Sequence, residues 1–308
     1  MSSSLSVTLS RRALLASAVS SGLGGAAAAA DSGGWIDAHV HVWTPDTARY
    51  PLAEGFTLQD MAPPSFTPEE LFAHAKPEGV TRIVLIQMSF YRFDNRYLLD
   101  VMEAWPGVFG GVAIVDDQAP DVVEKMRELG ARGVRGFRLY ASRANVAAWG
   151  GSAGMKAMWA HAAASGQAMC LLSDPDALPG IGEQIARFPE TTVVIDHFSR
   201  IGMRGPADPA DLDRLCALAE FPKVHVKTSA FYALGEKRPP YLDLIPAIRR
   251  LRDAYGAGRL MWASDCPYQV GEGHTYRESI ALVRDRLGFL SAAERNEILR
   301  GTAERLFF

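Results

Sequence analysis

The chain has 308 residues, 48% apolar and 22% charged, with 32 basic against 35 acidic side chains and a formal charge of −3. Those proportions exclude a disordered or fibrous chain, and the acidic balance excludes one built to grip nucleic acid or anionic lipid through bulk charge. Three cysteines, Cys170, Cys216 and Cys266, form neither an even disulfide set nor a ligand-spaced zinc motif.

Residues 1–30 hold no acid. Ser10-Arg11-Arg12-Ala13-Leu14-Leu15 opens a weakly apolar stretch that runs to Ala26–Ala30, just before Asp31. A basic start, a modest apolar segment and small residues at a cleavage point read as an export signal, and the paired arginines favour the bacterial twin-arginine type. An organelle import peptide is the alternative. No later run reaches 18 uninterrupted apolar residues, so no membrane span is expected after the leader.

Eight short runs rich in Val and Ile follow as candidate strands: Trp35–Val42, Val80–Met88, Val108–Val115, Gly133–Tyr140, Gln167–Ser173, Thr191–His197, Lys223–Ser229 and Arg259–Ser264. Amphipathic stretches alternate with them, namely Asp94–Trp105, Pro120–Gly130, Met155–Ser165, Leu178–Phe188, Asp211–Glu220 and Tyr241–Tyr255. Thr67-Pro68-Glu69-Glu70 and Ser291-Ala292-Ala293-Glu294 are helix-start signals, while Gly130, Gly166 and Gly256 sit where helices should stop. Near-continuous apolar strands between helices mark a parallel sheet covered on both faces. Eight such units without a Gly-rich phosphate loop predict one (β/α)8 TIM barrel over residues 31–308 rather than an open doubly wound sheet. The Pro-rich stretch Trp43–Phe66 is long for a strand-to-helix loop and is expected to form a lid.

A parallel barrel carries its chemistry at the C-terminal ends of its strands. The first strand ends in Asp37-Ala38-His39-Val40-His41-Val42-Trp43, and residues two apart share a strand face, so His39 and His41 can converge on one cation. The sixth ends in Asp196-His197 and the eighth in Ser264-Asp265-Cys266-Pro267. Neutral imidazoles are good ligands for a transition metal, and a carboxylate beside them stays ionised and can take a proton from water.

In these motifs the chain resembles the amidohydrolase superfamily, in its amidohydrolase-related branch of sugar-lactone and pyrone-dicarboxylate lactonases. The resemblance runs through Ile36–Trp43, Val84–Gln87, Gly136-Phe137-Arg138, Ile195–His197, Val226–Ser229, Trp262–Pro267 and the closing Ala303–Phe307. It implies a hydrolase that opens a cyclic ester, with Asp265 as general base and His197 beside it as a catalytic group. It implies His39, His41, His197 and Asp265 as metal ligands, and Arg138, Lys227, Gln87 and Tyr140 as substrate contacts, with Tyr268 a further neighbour. The fourth strand lacks the bridging Lys or Glu of binuclear members and the fifth lacks a His, so the resemblance implies either one divalent ion, zinc first, or none. A metal-dependent decarboxylase of the same branch and a binding barrel without chemistry are the alternatives. The partner is a small molecule, and the outer helices are where a homodimer would form.

Other polar residues read as structural. His74 and His161 lie in helix-like stretches, His274 is expected at the surface, and Cys266 is a small apolar residue in a turn. His225 shares a strand face with Lys227 and is the expected partner if that lysine is structural. The strip Tyr91, Arg92, Arg96, Tyr97 reads as a solvated helix face.

Overall fold

The computed structural model describes residues 33–308; the expected leader lies outside them. Eight strands form one parallel sheet in chain order: β1 (Trp35–Val40), β2 (Val80–Ile86), β3 (Phe109–Ala113), β4 (Val134–Ala141), β5 (Ala168–Ser173), β6 (Val193–Ile195), β7 (Val224–Ser229) and β8 (Leu260–Ala263). The ring closes just beyond β8, where Asp265 N–H donates to His39 O (2.9 Å) and His41 N–H donates to Cys266 O (2.9 Å). The expected (β/α)8 barrel is therefore the observed fold, and each expected strand is present, its ends shifted by at most two residues. Among the described residues no helix is long and apolar enough to cross a membrane.

The helices that shield the sheet include α1 (Pro68–Ala75), α2 (Arg96–Ala104), α3 (Val122–Ala131), α4 (Arg143–Trp149), α5 (Ala153–Ser165), α6 (Leu178–Arg187), α7 (Pro209–Ala217), α8 (Ile245–Tyr255), α9 (Tyr276–Ala281), α10 (Ala292–Asn296) and α11 (Thr302–Phe307). Both expected start signals are made. Thr67 and Ser291 accept from the amides of Glu70 and Glu294, whose carboxylates reach back to the cap amides. Gly166 and Gly256 end α5 and α8 at positive φ, but Gly130 lies inside α3 and Gly133 makes that turn. The short α4, capped by Ser142, was not expected.

Two apolar layers result. Leu, Ile and aromatic side chains fill the space between sheet and helices, while small residues such as Ala38, Ala168, Val194 and Ala263 fill the barrel interior. Phe307 of the closing helix plugs the interior beside the start of β3. A Cβ on Gly110 would stand 2.6 Å from Phe307 O, so only glycine fits there.

The seam between β1 and β8 is completed by a side chain. Asp37, fully buried, accepts from Ser264 N (2.9 Å), His39 N (3.2 Å) and Tyr276 OH (2.7 Å). Burial pushes its carboxyl up to about 6, with these donors opposing the rise. These bonds fix the backbone on both sides of His39, Ser264 and Asp265.

The loop after β1 is not a lid over the cavity described below. Trp43 and Phe66 pair as an antiparallel bridge, and Trp43 Nε1–H donates to Pro63 O (2.9 Å). The segment leans on α2 instead, where Tyr50 OH donates to Asp100 (2.7 Å), and no residue between 44 and 66 lines the cavity.

Glu78, just before β2, ties the entry to that strand to the helical segment after β8. Its carboxylate accepts from Arg277 (2.8 Å) and Arg284 (3.1 Å). Burial opposes ionisation, yet the two guanidinium groups hold its carboxyl below the usual glutamate range. A depressed folded pKa gives stability that is present above the unfolded value and lost as pH falls through the folded one. Glu78→Gln should therefore lower Tm at neutral pH, and the gap to the parent should close on acidification below pH 4; melting curves across pH 3–8 read this directly.

Candidate active site at the barrel mouth

Four side chains from three strand ends meet. His39 and His41 project to one point from the end of β1, with Nε2 atoms 3.2 Å apart and rings in edge contact. Asp265 Oδ1 lies 3.6 Å from His39 Nε2, 3.5 Å from His41 Nε2 and 3.6 Å from His197 Nε2. All four are buried. The convergence expected from sequence is thus present.

Backbone strain aims two of these groups. Asp265 has φ +66°, and the turn after β6 runs His197, Phe198, Ser199 and Arg200 through φ +52° to +55°. A left-handed conformation costs a non-glycine residue about 1–2 kcal/mol, so the fold holds this turn against a sizeable local preference. The result sets His197 Nδ1 2.8 Å from Ser229 Oγ and brings Arg200 to the cavity wall.

Hydrogen bonds at the far nitrogens fix what the rings present. Ile86 O lies 2.8 Å from His41 Nδ1, and a carbonyl only accepts, so Nδ1 carries a proton; in the neutral ring Nε2 then offers a lone pair. Ser229 Oγ donates to Lys227 O (3.4 Å) and accepts from His197 Nδ1–H, which leaves His197 Nε2 a lone pair as well. Burial lowers the pKa of His197 and, reinforced by the Lys227 charge, takes that of His39 well below the usual value, so both rings are neutral near pH 7.

Asp265 is ionised. Burial raises its pKa, but the positive charge that His197, His41 and His39 carry when protonated lowers it by more, so the carboxyl gives up its proton well below the usual range and before those rings give up theirs. Its second oxygen accepts from Tyr232 OH (2.8 Å). Tyr232 follows β7 and escaped the sequence reading; the only available signal was an aromatic residue in a loop at the active end of the barrel. A hydrogen bond to a charged group contributes about 1.5–3 kcal/mol. Tyr232→Phe should accordingly cut kcat about 10- to 100-fold with Tm little changed, as steady-state kinetics beside a melting curve will show.

The donor set fits a cation. His39 Nε2, His41 Nε2 and Asp265 Oδ1 form a cluster whose ligand atoms all lie within 4.8 Å of one another. Zinc held at about 2.0–2.1 Å by tetrahedral ligands spaces them roughly 3.3–3.4 Å apart, against the observed 3.2, 3.5 and 3.6 Å. Three protein ligands and an open fourth position are the pattern of catalytic zinc sites. His197, expected as a ligand, is not in this cluster, although its Nε2 lies 3.6 Å from the same Asp265 oxygen.

The expected substrate contacts divide. Arg138 lines the cavity above Asp265, and among the described residues no hydrogen bond or ion pair engages its guanidinium. Lys227, by contrast, is fully buried beneath His39, 3.0 Å from Asp196 Oδ1 and 3.2 Å from His39 Nδ1. It does not reach the cavity, because Asp196 draws its ammonium inward. His225 is not its partner; that ring meets Lys223 O instead. Gln87 is likewise off the cavity, donating to Asp94 O (2.7 Å) to hold the loop after β2. Tyr140, half exposed, lines an adjoining groove with Asp174 that shares Arg200 and Met203 with the cavity. Tyr268 does line the cavity, and His274 is half-buried against Tyr241 OH (2.8 Å) rather than free in solvent.

An eight-stranded parallel barrel with paired histidines at β1, an imidazole after β6 and a carboxylate after β8 defines a barrel hydrolase. The chain belongs to the amidohydrolase family, whose profile matches residues 36–308. It is 30% identical over 251 residues to an L-fucono-1,5-lactonase from Burkholderia ambifaria, covering 78% of this chain and 82% of that protein. Identity to a 4-sulfomuconolactone hydrolase from Rhizobium radiobacter is 28% over 244 residues, covering 77% and 76%. A crystal structure of an amidohydrolase from Burkholderia multivorans with bound zinc superposes with a TM-score of 0.73 at 25% identity, covering 88% of this chain and 98% of that one.

Proposed function

We propose that the protein hydrolyses a cyclic ester bearing a carboxylate. The observation that carries this reading is Asp265, bonded to a tyrosine hydroxyl and 3.5–3.6 Å from three imidazoles, in a cavity of about 230 Å³ whose wall offers an arginine without a partner among the described residues. The names of the two relatives, both hydrolases of lactones, support it. Asp265 accepts a proton from the attacking water and returns it to the ring oxygen as the ester opens. His197, 3.6 Å away, is placed to share that proton. Arg138 holds the substrate carboxylate through its planar fork.

His39, His41 and Asp265 would hold one divalent ion, zinc by preference. When bound, the ion supplies Lewis-acid polarisation of the ester carbonyl. Whether the site loads turns on His39. If Asp196 accepts from its Nδ1–H, Nε2 is free to ligate; if Lys227 donates to Nδ1, Nε2 carries the proton and bonds to His41.

The test is a pH-stat assay over a panel of carboxylated lactones, run before and after chelation with metal content measured alongside. Acid release is the expected result. Release of carbon dioxide from aromatic acids in its place would make the protein a decarboxylase, and binding without turnover would leave a ligand-binding barrel. We also propose export of the folded domain through the Arg11-Arg12 leader; mass spectrometry of the exported protein should find a terminus near Asp31 rather than Met1.

A further inference from the structure

The wall of the catalytic cavity is poor in free hydrogen-bonding groups. Its polar side chains are largely engaged: Tyr232 OH with Asp265, His41 Nδ1 with Ile86 O and His197 Nδ1 with Ser229. Arg200 donates to Asp174 Oδ2 (2.7 Å). Apart from the hydrolytic cluster and Arg138, only Ser89, Tyr268 and the Nε–H of Arg200 keep side-chain groups free among the described residues that line it. The remaining surface is Met88, Leu172, Met203 and Leu234 with the Ala230 and Ala233 methyls.

A polyhydroxylated ring in this cavity would exchange bonds to water for contact with sulfur and methyl groups. Each hydroxyl left unpaired in an apolar site costs a substantial part of the binding free energy. A hydrocarbon ring gains by the same burial. Two of the lining residues, Met203 (43% exposed) and Tyr268 (38% exposed), carry the same chemistry outward to the mouth.

We infer that the substrate is a lactone with an apolar body, an alkyl-substituted or aryl-fused ring with at most one anionic group for Arg138, and not a sugar lactone. This rests on the lactonase reading above and narrows it. Met203 and Leu172, which line the cavity beyond the adjacent strands β6 and β5, are the specificity-determining residues. The small volume limits the ligand to a ring system with a short substituent.

The experiment compares kcat/KM for dihydrocoumarin, an aryl-fused lactone, with that for D-glucono-1,5-lactone, in the intact protein and in Met203→Gln and Leu172→Gln. The expected result is a preference of about 100-fold or more for dihydrocoumarin, the scale on which an apolar pocket rejects added hydroxyls. Each Gln variant should narrow that preference, and Leu172→Met should restore it. Equal or better turnover of the gluconolactone overturns the inference and leaves the lactonase reading standing. A preference unmoved by both Gln variants overturns the assignment of the determinants. If neither compound nor any carboxylated lactone is opened, the lactonase reading fails and this inference fails with it.

Discussion

Asp265→Asn is expected to lower kcat for ester hydrolysis by about 10³- to 10⁴-fold, at the upper end of what a single proton-transferring group contributes. The substitution keeps the shape of the side chain and an oxygen to accept from Tyr232, and it removes the charge and the proton acceptor. Its backbone demand is also met. Residue 265 sits at φ +66°, and Asn is among the few non-glycine residues that adopt this conformation readily. Ala would confound the result by adding strain to the loss of the carboxylate. Steady-state kinetics with a melting curve on the same preparation is the check. An unchanged Tm with turnover lost assigns the chemistry to the carboxylate, whereas turnover within tenfold of the parent would move the base elsewhere, with His197 the next candidate. A second readout separates the roles of Asp265 as base and as ligand. Metal content that persists in the variant while turnover falls places the defect in proton transfer.

Much of this arrangement was legible in the sequence because it depends on strand periodicity. Apolar runs that end in polar residues gave the barrel and put His39, His41, His197 and Asp265 at one end of it. Their convergence needs only alternation along a strand and the parallel order of the sheet. The depth of Lys227 was not legible. A lysine in a strand reads the same whether it faces the mouth or an acid beneath it, and the partner that decides, Asp196, is 31 positions away on a neighbouring strand. Gln87 misled for a related reason. Its side chain can serve a ligand or the backbone of its own loop, and only the path of residues 92–94 shows that it serves the loop. The segment 44–66 looked like a lid because length and proline content carry no information about where a loop leans. Tyr232 and the left-handed turn at His197–Arg200 were invisible for want of any marker, since none of those residues is glycine.

Lys227→Met should destabilise the protein by about 3–5 kcal/mol, the usual cost of removing one partner of a buried ion pair. Methionine matches the stem of the lysine closely, so little of this arises from a cavity. The cost arises from Asp196, fully buried, with Oδ2 free of any hydrogen-bond partner among the described residues and Oδ1 left without its ammonium. His39 Nδ1, 3.4 Å from that oxygen, is the group able to respond. Burial, first, and the Lys227 charge, second, hold the ring neutral; without the ammonium its pKa rises toward the ordinary value. His39 then donates from Nδ1 to Asp196, either as an imidazolium, which competes with a metal ion, or as the tautomer that frees Nε2 to ligate. A folded pKa depressed below the unfolded value costs the parent stability as pH falls through the unfolded value, and the variant is relieved of that cost. The variant should therefore lie closer to the parent at pH 5 than at pH 8 in urea denaturation. Replacing both partners, Lys227→Met with Asp196→Asn, should recover most of the loss, because it removes the stranded charge as well as the pair. A single variant as stable as the parent at every pH would mean that Asp196 is not ionised in the fold, and Lys227 would then have no charge to neutralise beneath His39.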